Sequence, residues 1–214
     1  MTAIPLARRL QTGLPRTVAL AALGLVLVGP AACATKSVTR INPADVTDLS
    51  GRWNDTDSRL VANQLIEQSL DAEWVRSYRD AHGGVAPTVI VGDFSNRTTE
   101  HIPVATFLKD LEKAYVASGV VKVVAGAAER AEVRGERADQ QQNASADTRA
   151  RIGVEQGARY MLKGELQSIT DSEKRERIVY YQVDATLIDL ETNAKVWVGQ
   201  HKIKKYIERK QFGL

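Results

Sequence analysis

From Val89 to Ile102 the chain reads VIVGDFSNRTTEHI, an apolar run that opens into nine residues dense with functional groups. Asp93 and Glu100 are acids, His101 is a base, Ser95 is a hydroxyl nucleophile and Arg97 is a cation; Asn96, Thr98 and Thr99 add hydrogen-bonding groups. These are the ingredients of nucleophilic and general acid–base catalysis, which works only when nucleophile, base and an orienting third group lie within hydrogen-bond reach. The surrounding pattern does not build that relay. Ser95 stands in no nucleophile-elbow motif. The same residues also suit a strand that leaves a sheet and enters a helix. Asp93 and Asn96 can close Asx turns, Thr98 or Thr99 can cap the helix, and Arg97 can bridge to Glu100 or a neighbouring acid. A third use is contact with a partner, for which Asn96, Arg97 and Glu100 are the candidate residues.

The rest of the chain offers little other chemistry. His82, His101 and His201 are far apart, and Cys33 is the single cysteine, so no zinc-like ligand spacing exists. There is no phosphate-loop or GxGxxG pattern; Gly153, Gly157 and Gly164 are isolated, and Asp184 and Asp189 fall on strands of unassigned face. The reading is therefore no catalytic residue, no metal site, no cofactor and no enzyme.

The elements that must position the loop follow from periodicity. A helix is expected from Asp55, after the cap-forming Asn54, with Leu60, Val61, Leu65, Ile66, Leu70, Trp74 and Tyr78 inward and His82-Gly83-Gly84 ending it. TVIVGDF, Thr88 to Phe94, reads as a buried strand. A helix over 103–118 follows, with Val104, Phe107, Leu108, Leu111 and Tyr115 on one face and Gly119 as its cap. Val120 to Ala125 is the next strand. Ala127 to Gln142 is polar nearly all round, a weak helix or surface segment broken at Gly135, and Ser145 can cap a helix over 146–156 with Ile152 inward. Arg159 to Ile169 alternates as a strand, DSEKRER (Asp171 to Arg177) reads as a long hairpin tip, and strands follow at Ile178 to Asp189 and Lys195 to Ile203. The expected fold is a single α/β domain over 51–207, a mixed sheet with packed helices whose last three strands form an antiparallel meander. Residues from Lys204 onward, including the basic tail 208–214, are expected to be loose.

The N-terminus reads as an export signal over 1–32. Arg8, Arg9 and Arg16 precede an uncharged stretch that contains the 11-residue apolar run VALAALGLVLV, and Ala31 and Ala32 stand directly before Cys33. This resembles a bacterial lipobox with Pro30 in place of the usual aliphatic residue, and it makes Cys33 the lipidated residue that holds the chain to membrane lipid. The alternatives are an ordinary signal peptide cut near Ala32 or an uncleaved anchor, for which the apolar run is short of the ~20 residues a span needs. The whole chain carries 29 basic and 26 acidic residues. Without the three arginines of the signal the balance is zero, so the basic pI is no argument for nucleic acid, and none is expected as a partner. Residues 33–50 form the lipidated N-terminus and a short tether. From Ala34 to Ser50 that tether reaches roughly 60 Å at ~3.5 Å per residue.

A strand running into GDFSNRT, an apolar helix, the strand VVKVVA, the polar segment GERADQQQNAS, the run EQGARYML and the late strands around LIDLETNAKVWVG stand in this order. Over roughly Ser50 to Lys205 this resembles the penicillin-binding protein activator LpoB family of bacterial lipoproteins. More distantly it is similar to the curli-secretion lipoprotein CsgG family and to the N-terminal domain of TolB. The resemblance implies an α/β domain on the periplasmic side of the bacterial outer membrane, without enzyme activity. It further implies docking on a bifunctional penicillin-binding protein and stimulation of its glycan polymerisation and crosslinking. Activators of this kind carry a long, Pro-rich tether, and the tether here is short. The alternative is a structural, assembly or secretion-associated lipoprotein of the CsgG type. Gln182 and Asp184 on one face make Ile178 to Asp189 a poor lipid-facing strand for such a pore.

Overall fold

The computed structural model describes residues 36–209. Of these, residues 43–209 belong to one compact unit, and residues 36–42, which fall outside that unit, contain no helix or strand. Asn54 opens the first helix, α1 (Asp55–Asp71), by a reciprocal capping box: its side chain accepts from the Asp57 amide at 3.1 Å, and the Asp57 carboxylate accepts from the Asn54 amide at 2.9 Å.

The expected single helix is two. Ala72 is extended (φ −74°, ψ 156°), and α2 (Glu73–Ala81) starts afresh behind it. The break turns Trp74 into the core, where its indole N–H donates to the Ser69 carbonyl at 2.6 Å. That carbonyl, in the last turn of α1, otherwise receives only the long cap bond from the Ala72 amide at 3.4 Å. Leu60, expected inward, is exposed, while Val61, Ala62, Leu65 and Ile66 are buried.

β1 (Thr88–Asn96), α3 (Val104–Ser118) and β2 (Lys122–Val123) form the expected β-α-β unit, with β1 and β2 parallel. Gly119 caps α3 in the left-handed conformation (φ 64°). Of the strand expected over 120–125 only Lys122 and Val123 pair in register with β1, and the Val120 carbonyl is taken by the Arg79 guanidinium at 3.0 Å. α4 (Ala127–Asn143) runs unbroken through Gly135 and buries none of its residues. Its side chains hold the next segment instead. Gln140 Oε1 accepts from the Ala150 amide at 2.9 Å, and Gln141 donates to the Ala150 carbonyl at 2.8 Å. With that backbone engaged, the helix expected over 146–156 does not form, and Ile152 is exposed.

β3 (Tyr160–Glu173), β4 (Glu176–Asp189) and β5 (Lys195–Glu208) are the expected antiparallel meander, and the sheet order is β2-β1-β3-β4-β5. The charged segment 171–177 is not a long tip. The ladder continues to Glu173 opposite Glu176, leaving Lys174 (φ 54°) and Arg175 as the turn. β5 likewise runs on to Glu208, so residues 204–208 are strand rather than loose tail. Residues 210–214 lie outside the described residues.

The core occupies one face of the sheet. Val89, Leu162, Leu166, Val179, Tyr181, Val183, Ala185 and Leu187 point to it, and Val61, Leu65, Phe107, Leu111 and Tyr115 of α1 and α3 cover it. Edge-to-face ring contacts tie Phe107 to both Phe94 and Trp53. This is a mixed α/β fold with five strands and four helices among the described residues.

Candidate functional site

The end of β1 and the segment after it keep the two-residue alternation of a strand through to Ile102. Phe94 and Ile102 are buried and Asn96, Thr98 and Glu100 are half-buried, while Ser95, Arg97, Thr99 and His101 are exposed. The Arg97 amide donates to the Leu166 carbonyl at 2.7 Å, which keeps the backbone against β3. Asn96 then closes the turn expected of it. Its Oδ1 accepts from the Thr98 amide at 2.9 Å and from the Thr98 hydroxyl at 2.7 Å, and its Nδ2 donates to the Glu100 carbonyl at 2.8 Å.

Glu100 is committed inward. Its Oε1 accepts from the Tyr181 hydroxyl at 2.7 Å and its Oε2 from the Trp53 amide at 3.2 Å. Burial, then the Glu100 carboxylate, push the Tyr181 hydroxyl well above its usual range. Glu100 therefore does not take the expected bridge from Arg97. The Arg97 guanidinium is exposed and makes no hydrogen bond or ion pair with any described residue. Neither Thr98 nor Thr99 caps α3, whose cap position is Pro103 without a side-chain bond.

Nucleophile, base and acid thus separate: Ser95 and His101 face solvent, and Glu100 faces the core. The other chemical candidates separate too. His82 stacks on Tyr78 with its Nδ1 2.7 Å from the Tyr78 carbonyl. Partial burial lowers His201 on the core side of β5. Asp184 lies among Gln182 and Gln200 on the open sheet face, with Gln200 Nε2 2.6 Å from its Oδ1. Asp189 is buried and accepts from Arg159 at 2.7 Å and 3.1 Å. No group of three His, Cys, Asp or Glu among the described residues is placed to hold a metal ion. What the loop offers is a rigid scaffold of Asn96, Thr98 and Glu100 carrying a free cation, Arg97, at its surface.

Sequence reasoning missed Lys205. Its ammonium lies on Asp57 and Asp48 at 2.6 Å each and on the Arg52 carbonyl at 3.2 Å, with the side chain 9% exposed. Burial works against its charge, yet the bonds to Asp48 and Asp57 outweigh this and hold the ammonium above its usual value. The signal was present: Ile203, Lys205 and Ile207 alternate on one face of the last strand. Further contacts bond the end of the proposed tether to the domain: the Asn54 side chain donates its Nδ2 to the Asp48 carboxylate and the Thr47 carbonyl, and the Arg59 guanidinium donates to the Ala44 carbonyl. Cys33 and the segment expected to be an export signal, 1–32, lie outside the described residues. No helix among the described residues is long and apolar enough to cross a membrane.

No curated protein matches the chain. Among solved structures it is similar to the C-terminal domain of LpoB from Salmonella enterica, with 17% identity over 70% of this chain and 99% of that one and a TM-score of 0.39. LpoB from E. coli is similar at 14% identity over 98% and 96% of the two chains, with a TM-score of 0.39. Lipoprotein GNA1162 from Neisseria meningitidis is similar at 13% identity over 56% and 83%, with a TM-score of 0.38. The model of the peptidoglycan-synthase activator LpoB family matches residues 57–203, from the capping-box acid of α1 to the last core residue but one of β5. With more than half of its length so matched, the chain belongs to the peptidoglycan-synthase activator LpoB family.

Proposed function

We propose that the chain is an outer-membrane lipoprotein, held by lipid on Cys33 and facing the periplasm, that acts without catalysis by binding a bifunctional penicillin-binding protein and raising its activity. The family match over 57–203 carries this reading. The loop supports it: an exposed Arg97 on a bonded scaffold can pair bidentately with a partner carboxylate at little cost in ordering. Asn96 and Glu100 serve such a contact by positioning Arg97 rather than by touching the partner. The test is glycan polymerisation from lipid-linked precursor by a purified bifunctional synthase, with and without the chain. A higher rate with the chain, and no turnover by the chain alone, is the expected result. An unchanged synthase rate overturns the proposal.

The second reading, an assembly or secretion-associated lipoprotein, draws on the bonded end of the tether. With Ala44, Thr47 and Asp48 held to the domain, about ten residues separate it from Cys33, a reach of roughly 35 Å. That favours a partner close to the outer membrane. Crosslinking in cells separates the two readings: recovery of outer-membrane proteins, with no synthase, supports the second.

A further inference from the structure

Cations collect at one end of the meander. Arg52, Lys174, Arg175, Arg177 and Arg209 line an open cleft around the β3–β4 turn, against the two acids Glu176 and Glu208. The Tyr206 hydroxyl lies beside Glu176, one of those acids. The Nε of Arg177 is buried with no hydrogen-bond partner. Leu49 and Ser50 line the same cleft, so the N-terminal segment joins the domain beside the cations. The turn itself is far out on the sheet. β1 pairs with β3 only as far as Leu166, and the β3–β4 ladder runs on to Glu173 and Glu176. Those seven further residues extend it by roughly 24 Å at ~3.4 Å each.

We propose that this cationic end docks on anionic phospholipid headgroups of the membrane that holds the chain, a parking contact for the domain. The choice of membrane rests on the lipoprotein reading above. Two observations select a lipid surface. Guanidinium groups pair with phosphate oxygens in a fork geometry that suits phosphodiesters. The cluster also lies beside Leu49 and Ser50, at the end of the N-terminal segment, so a lipid on Cys33 keeps it within roughly 60 Å of headgroups and makes the encounter effectively intramolecular. Glu173, which pairs with Lys174 at 3.6 Å, and Asp171 on the same ribbon temper the charge. The contact is therefore weak and salt-sensitive, which leaves the domain free to exchange the membrane for a partner.

The test uses the chain from Ala34 onward, which keeps the whole compact unit and its core but no lipid. It is sedimented with vesicles of phosphatidylcholine alone and with vesicles containing phosphatidylglycerol. Binding to the anionic vesicles only, falling as salt is raised, is expected. Lys174→Gln and Arg175→Gln, both exposed in the turn, should each weaken it about fivefold with unchanged melting. Equal binding to both vesicles, binding to neither, or binding unchanged by both variants overturns the proposal. So does salt-sensitive capture by purified peptidoglycan without vesicle binding, which would assign the cations to wall carboxylates. Because this chain lacks Cys33, the result is independent of lipidation, which mass spectrometry of the native N-terminus decides by itself.

Discussion

Tyr181 donates its hydroxyl to Glu100 over 2.7 Å, across 81 positions of chain. The second carboxylate oxygen takes the Trp53 amide, and the Trp53 ring lies edge-on to Tyr181 with centroids 5.5 Å apart. One carboxylate thus joins the loop after β1, the interior strand β4 and the segment before α1.

Glu100→Ala would leave a mostly buried hydroxyl and an amide without their acceptor. The expected loss is about 2–3 kcal/mol in urea unfolding, the size of losing bonds to a charged group. Tyr181→Phe removes one bond and keeps the ring, so it should cost about 1 kcal/mol. Unfolding midpoints that do not move would show the joint to be unimportant for the fold.

Arg97→Ala should behave in the opposite way. The side chain is exposed and bonded to nothing described, so stability should hold within about 0.5 kcal/mol. Half-maximal activation of the synthase should require tenfold more protein, or about 1.4 kcal/mol of binding. Unchanged activation would remove Arg97 from the interface.

Two groups make the fold sensitive to alkali. Burial pushes the Tyr115 hydroxyl up to about 12, from a usual value of 10.0, although its bond with Ser69 pulls the other way. Lys205 is held above its usual 10.5 because Asp48 and Asp57 outweigh its burial. In both cases the folded chain keeps a proton that the unfolded chain has released. Stability from these groups is therefore complete below pH 10 and falls as pH rises through the folded values. Urea midpoints measured from neutral pH upward should be flat for these two groups and then drop. Tyr115→Phe should lessen the drop, at a cost of about 1 kcal/mol near neutrality from the lost Ser69 bond. A midpoint insensitive to alkali would contradict both assignments.

Much of this was legible in the sequence because it was local. The Asn54 cap, the buried face of α3, the Gly119 cap and the alternation of β3 and β4 each depend on neighbours a few residues away. The inward half of the loop was legible for Asn96, whose turn is also local. What was not legible depended on distant partners. Nothing near Ala72 breaks a helix; the break follows from the place Trp74 takes in the core. The segment 146–156 has a cap and a helical composition, yet Gln140 and Gln141 of α4 engage its backbone first. Arg97 and Glu100, three residues apart, looked like a pair until Tyr181 and Trp53 claimed the acid. The candidate loop was thus found by its residue types, and its division into scaffold and exposed cation came from tertiary contacts.

Two glycines should answer to alanine with opposite signs. Gly164 of β3 lies between Phe94 and Ala185 in the paired strands. A Cβ there would collide with the Asp184 carbonyl and the Phe94 ring, both held by the sheet and core. Gly164→Ala should therefore destabilise by about 1–3 kcal/mol through overpacking. It should also disturb the loop, because Phe94 is two residues before Asn96. Gly135 lies in the middle of α4, and a Cβ there meets nothing within 4 Å. Gly135→Ala should stabilise by about 0.5–1 kcal/mol, from helix propensity and a less flexible unfolded chain. Urea unfolding of both variants checks the pair. A neutral Gly164→Ala would mean that the β1–β3–β4 packing has slack beneath the loop, and the rigid scaffold inferred for Arg97 would lose its support.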